Sequence, residues 1–181
     1  FPAAFERAMQ AHLDEIAAIG TDPSPPSFAN TIEALQRSGR DLTRVQAVFA
    51  NLAVSQGGAA LEALDREWSP RLAQHGMRVA LDPAIFARVE ALYAQRDQLD
   101  LAEDQRRLLE RTHLGFIRSG AALDAAGKAR MAEITERLAV LHTAFGQNVL
   151  HDEKSWSLPL TEADLDGLPD FLRAGAAEAA R

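Results

Sequence analysis

Pro26-Ser27-Phe28-Ala29-Asn30-Thr31-Ile32-Glu33-Ala34-Leu35 opens a run that continues through Ser38-Gly39, Leu42, Arg44-Val45 and Val48-Phe49 to Asn51-Leu52. Phe28, Leu35, Leu42 and Phe49 stand seven apart, and Ile32, Gly39, Val45 and Leu52 trace a second line beside them. A heptad kept this long predicts one long helix packed on helical neighbours. Ser27 precedes it as an N-cap. Glycine costs a helix interior about 1 kcal/mol relative to alanine. At Gly39, therefore, either the helix breaks or a neighbour crosses closely. The phase kept from Leu35 to Leu42 favours the close crossing, with at most a slight bend.

The flanking sequence carries the same period. Phe5, Met9, Leu13, Ile16 and Ile19 define one face of a first helix that Gly20 ends, and the prolines between Thr21 and Pro26 make a stiff loop. Gly57-Gly58 reads as a flexible joint. Beyond it Leu61, Leu64 and Trp68 keep helical spacing, and Pro70 is expected to start a new turn. Asp82-Pro83 is a cap with a first-turn proline, followed by the stripe Ile85, Phe86, Val89, Leu92 and Tyr93. A helix over roughly 102–118 turns Leu108, Leu109, Thr112 and Phe116 inward and stops at Gly120. The last long helix, roughly 124–150, directs Met131, Ile134, Leu138, Leu141 and Phe145 inward. Trp156-Ser157-Leu158-Pro159-Leu160 then alternates with period two, which predicts a short strand. A lone strand cannot satisfy its backbone groups, so its partner is expected in sequence beyond this chain. Thr161, Glu162 and Asp164 mark a helix start, and residues 170–180 are helical. The fold class expected is all-α: an antiparallel bundle of long helices with a short lone strand and a helix near the C-terminus.

Composition agrees. The chain has 181 residues, 47% of them hydrophobic but only 6% aromatic, so a real core is available and Leu, Ala, Ile and Val dominate it. A formal charge of −7 repels phosphate backbones and anionic lipid, which excludes nucleic acid and membrane surfaces as favoured partners. No long apolar run provides a membrane span. The absence of cysteine removes disulfide frameworks and Cys-based zinc sites. It fits a cytoplasmic protein and is equally compatible with the periplasm. The chain opens at Phe1, as a processed or trimmed N-terminus would.

Residues that could carry chemistry are few. His12, His75, His113, His142 and His151 are scattered, with no i, i+4 pair. Glu110-Arg111-Thr112-His113 has the Glu-x-x-His form of a di-iron half-site, but no second copy exists, and an exposed Glu–His pair is the better reading. His151-Asp152-Glu153 sits near a helix C-terminus, where the dipole alone favours histidine. Gly57-Gly58 lacks the Lys-Ser/Thr of a phosphate loop. Arg106, Arg107 and Arg111, with Arg96 and Arg118 nearby, alternate with Glu103, Asp104 and Glu110; this is a solvated face of ion pairs or, more sharply, a positive patch for a peptide carboxylate. No Gly-x-Ser-x-Gly elbow is present.

In order and spacing, a series of segments resembles one known family. They are Pro2-Ala3-Ala4-Phe5 with Met9, Glu15-Ile16-Ala17-Ala18-Ile19, the Pro26 to Leu52 run, Leu61-Glu62, Phe86-Ala87-Arg88-Val89-Glu90-Ala91-Leu92, Gln105-Arg106-Arg107-Leu108-Leu109-Glu110, Phe145-Gly146-Gln147-Asn148-Val149-Leu150 and Asp164-Leu165-Asp166-Gly167-Leu168-Pro169. They resemble the N-terminal helical region of the peptidyl-dipeptidase and thimet-oligopeptidase family of zinc metallopeptidases, its bacterial peptidyl-dipeptidases above all. The resemblance implies a clam-shaped, mostly helical parent enzyme. Zinc would be held in a later domain by the two histidines of a His-Glu-x-x-His helix and a further glutamate, the motif glutamate acting as general base. No His-Glu-x-x-His occurs in these 181 residues, so no catalytic, cofactor-binding or metal residue carries over. Residues 1–152 would form the N-terminal helical domain, one wall of a channel that admits short unfolded peptides, and 153–181 the connection into the catalytic domain. The expected partners are that catalytic domain and short peptides, and a fragment lacking the domain would self-associate. Two alternatives stay open: an autonomous helical interaction module, and a bundle metalloprotein using Glu110 and His113.

Overall fold

The computed structural model describes residues 1–180 and is all-α, with no strand among them. Its elements are α1 (Pro2–Gly20), a π-helical turn (Phe28–Glu33), α2 (Ala34–Arg37), α3 (Arg40–Ser55), α4 (Ala59–Ala80), α5 (Pro83–Ala94), α6 (Glu103–Arg118), α7 (Ala125–Ser155), a 3₁₀ turn (Glu162–Leu165) and α8 (Asp170–Ala179). The chain divides into two compact units, Phe1–Phe145 and a second that begins at Gly146.

The first unit has its apolar interior in two clusters, and α1 is the wall common to both. Near its start Phe5 and Ala8 pack with Leu42 and Phe49 of α3 and Trp68 of α4. The Phe5 ring stacks on Trp68 with centroids 5.0 Å apart and meets Phe49 edge-on at 5.5 Å, geometries that aromatic quadrupoles favour. Near its end Ile16 and Ile19 pack with Ile32, with Ile85, Val89 and Leu92 of α5 and with Leu109 of α6. The stiff loop between α1 and the π turn is held from α5. Arg88 is 8% exposed, and its Nη1 donates to the carbonyls of Asp22 (2.9 Å) and Ser24 (3.2 Å).

Both caps expected from sequence form. Ser27 Oγ accepts from Asn30 N while Asn30 Oδ1 accepts from Ser27 N, a reciprocal capping box. Asp82 accepts from the amides of Ala84 and Ile85 ahead of Pro83.

Elsewhere the structure corrects the sequence reading. The run from Ser27 to Leu52 is not one helix. It starts with a π turn and breaks at Ser38, which is extended, and Gly39, at φ 68°. The close crossing exists as well: a Cβ on Gly39 would lie 2.9 Å from Cε1 of His12. The heptad keeps phase because α3 returns Leu42 and Phe49 to the same interior. Pro70 starts no turn; it lies inside the unbroken helix α4. It cannot donate to the carbonyl four residues back, but buried Trp68, packed on Phe5, and His75, bonded to His12, hold the helix against α1 on both sides of it. The α7 residues Ile134, Leu138, Leu141 and Phe145 do not face inward; all four are exposed, Phe145 at 71%.

In the second unit residues 156–160 form no strand. The chain leaves α7 with Trp156 N bonded to Asp152 O, then runs extended with Trp156 and Leu158 largely exposed. Alternation selects a face only where a neighbouring strand supplies the ladder, and none is present among the described residues. Thr161 starts the 3₁₀ turn, its amide and hydroxyl both donating to Asp164.

Candidate functional site

Helix α6 presents the residues singled out from sequence, and the structure sorts them differently. His113 does not pair with Glu110. Its Nε2 meets Glu90 of α5 at 2.7 Å, and its ring lies on Tyr93 with centroids 3.8 Å apart and planes 3° from parallel. Glu110 pairs with Arg107 at 3.5 Å. The Glu-x-x-His half-site is thus drawn apart into an α5–α6 pin and a surface ion pair, and no cluster of three or more metal-ligating side chains occurs among the described residues.

The arginines also divide. Arg106 is bound to Asp97 at 3.0 Å, and Arg96 sits over the Tyr93 ring at 4.4 Å. Arg111 and Arg118 have no ion-pair partner among the described residues. Both border a groove of about 700 Å³ with Tyr93, Arg107 and His113. Arg111 also edges a second, open groove of about 530 Å³ between α4 and α6, lined by Val79, Leu108 and Phe116 and, from α1, by His12. Gly76 and Gly115 line this second groove, and a Cβ at either would meet nothing within 4 Å. A cation between apolar walls can hold an anionic group attached to an apolar chain. His151, Asp152 and Glu153 are exposed on α7, and Gly57 and Gly58, both at positive φ, connect α3 to α4.

Sequence reasoning missed a histidine pair. His12 Nδ1 and His75 Nε2 lie 2.9 Å apart although 63 residues separate them. His12 Nε2 faces Ser38 Oγ at 3.4 Å, and that hydroxyl donates to Leu35 O at 2.8 Å. Beside them Glu15 Oε2 accepts from Gly39 N at 2.7 Å. The position is a polar layer between the two apolar clusters: His12 falls between Ala8 and Ile16 on α1, His75 between Leu72 and Val79 on α4, and Ser38 between Leu35 and Leu42. Burial pushes both imidazoles below the ordinary histidine range. Glu15 opposes this at His12, whereas the charges of His12 and Arg78 reinforce it at His75. The available signal was a polar residue interrupting an apolar stripe in each of these segments, which by itself names no partner.

No protein-family model matches the chain. Relatives do. The dipeptidyl carboxypeptidase of Escherichia coli (strain K12) is 38% identical over 179 residues, and that of Salmonella typhimurium 36% over 179 residues, each alignment covering 98% of this chain. Along nearly its whole length the chain is similar to part of these dipeptidyl carboxypeptidases. It spans about a quarter of their length, the alignments covering 26% of each. Oligopeptidase A of Haemophilus influenzae is a more distant relative of this dipeptidyl carboxypeptidase-like chain, at 25% identity over 155 residues. Together they match the chain to an N-terminal region of a thimet-oligopeptidase-like peptidase. No described helix is long and apolar enough to cross a membrane.

Proposed function

We propose that this chain is the non-catalytic N-terminal part of a zinc-dependent peptidyl-dipeptidase or oligopeptidase that hydrolyses short peptides. The observation that carries the reading is the 38% identity along 98% of the chain, in a sequence without His-Glu-x-x-His. Residues 1–152 are the N-terminal domain and 153–181 the passage into a catalytic domain. That domain is the partner, and zinc, bound there, supplies the activated water. The chain's own role is to form one wall of the channel and to limit access to unfolded peptides. The α6 face suits such a role, because the apolar groove and the unpaired Arg111 and Arg118 give an otherwise acidic chain a place for a peptide and its carboxylate. The cytoplasm fits as its compartment.

The exposed α7 stripe favours a second reading, an autonomous helical interaction module without activity. One experiment separates the two: the intact mass of the native protein, with zinc content and peptidase activity measured on the same species. A mass several times 19.7 kDa, with zinc and release of C-terminal dipeptides, supports the peptidase reading. A native 19.7 kDa species without zinc or activity leaves the interaction module.

A further inference from the structure

The polar layer between the two cores has one hydrogen-bond arrangement that fits best. Ser38 Oγ already gives its proton to Leu35 O, so toward His12 it can only accept. His12 therefore carries its proton on Nε2 and offers a bare Nδ1. His75 donates to that atom from Nε2, which leaves His75 Nδ1 bare, buried and without a partner. The opposite tautomers would bury an unpartnered N–H at His75 and set a bare His12 nitrogen against a bare hydroxyl oxygen. An unsatisfied donor in a closed interior is costly, roughly 1–3 kcal/mol. The chain His75→His12→Ser38→Leu35 thus links α4, α1 and the end of α2 with both rings neutral.

We propose that His75, His12 and Ser38 form a proton-operated clasp that holds the break at Ser38–Gly39 against α1 and α4, and with it the His12 end of the α4–α6 groove. A first proton turns the ring–ring bond around and places an unpartnered N–H at His75 Nδ1. A second leaves two N–H groups facing each other, and the bond is lost. The surrounding charges do not neutralise these protons fully. On α1, Glu15 favours a proton on His12 but is itself engaged by Gly39 N. On α4, Arg78 opposes a proton on His75, and across the groove from α6 the unpaired Arg111 adds positive charge. Glu33 with Arg37 before the break, and Asp41 with Arg44 after it, are occupied with each other. Gly39 has no side chain to wedge the joint once it is released, and its Cβ space is filled by the His12 ring itself.

The test uses the 181-residue chain, its histidine ring protons followed by NMR from pH 8 to pH 5 together with amide hydrogen exchange. The expected result is that His12 and His75 titrate in two coupled steps below pH 6.5, and that protection at residues 36–42, corrected for intrinsic chemistry, falls about tenfold across those steps while α5 and α6 stay protected. Ser38→Ala, which keeps both rings and the packing, should shift the His12 step and weaken protection at the break already at pH 8. His75→Phe should remove the pH dependence of exchange at 36–42; if that variant does not fold, the Ser38→Ala result decides alone. Independent titration of the two rings, loss of protection across the whole first unit, or exchange at 36–42 that ignores both pH and Ser38→Ala would overturn the clasp.

Discussion

Arg88 Nη1 donates to the carbonyl of Asp22 at 2.9 Å, fastening the loop after α1 to the middle of α5. The same guanidinium reaches Ser24 O at 3.2 Å and, through Nε, Thr31 Oγ1 at 3.3 Å, while Nη2 lies 3.7 Å from the Asp22 carboxylate. Hydrogen bonds from Ser24 hold that carboxyl below its usual range, with Arg88 adding to the effect. One side chain thus saturates carbonyls of a proline-rich segment that has few partners of its own.

Replacing Arg88 by Met keeps the buried stem but leaves the Asp22 and Ser24 carbonyls without their donor. At about 1–3 kcal/mol for a stranded buried group, Arg88→Met should destabilise the first unit by roughly 2–4 kcal/mol. Lysine should not rescue it, because one ammonium cannot spread over four acceptors. Urea midpoints for Arg88→Met and Arg88→Lys check this, and a loss under 1 kcal/mol for Met would refute it.

The neutral histidine layer gives stability a pH dependence of known sign. Both imidazoles bind protons less readily in the folded chain than in the unfolded one. The unfolded state therefore takes up more protons as pH falls below about 6.5, and stability drops with it, levelling out once the folded pair has titrated. Above that pH this contribution is complete. Melting temperatures from pH 5 to pH 8 should fall toward the acid side, with a smaller slope in His75→Gln; an equal slope would place the dependence elsewhere.

Glycines at two kinds of position should respond with opposite signs. Gly39→Ala must adopt φ 68° and push against the His12 ring at 2.9 Å; left-handed strain plus overpacking amounts to roughly 2–4 kcal/mol of destabilisation. Gly76→Ala, inside α4 four residues before its end and with open space around its Cβ, should instead stabilise by about 0.5–1 kcal/mol. Chemical denaturation of both variants gives the comparison directly.

These cases show what local sequence conveys here. Periodicity and caps located α1, α5, α6 and α7, because Ser27, Asp82 and the apolar stripes act within a few residues of themselves. The continuity of α4 through Pro70 was hidden, since what holds it is Trp68 stacked on Phe5, more than sixty residues away in the chain. The break at Gly39 was misjudged because the heptad phase survives an interruption when both flanking segments return to one interior. The His12–His75 pair was invisible for the same reason: each histidine looks like a lone polar residue on an apolar face until α1 and α4 meet. The alternation at 156–160 misled in the other direction, a local pattern with no neighbour to make it a strand.

The α7 stripe yields the last prediction. Ile134, Leu138, Leu141 and Phe145 follow one another at spacings of 4, 3 and 4 and are all exposed. That spacing is the seam of helix-on-helix packing, and contiguous apolar surface of this kind associates in water. The 181-residue chain should therefore self-associate with rising concentration and bind a hydrophobic dye. Leu138→Glu with Leu141→Glu should return it to monomer with its helix content unchanged, since neither residue contributes to the buried clusters. Sedimentation velocity across a hundredfold concentration range decides the matter. A wild-type chain that stays monomeric and dye-negative would mean that this stripe is too broken by its alanines and charges to act as a surface at all.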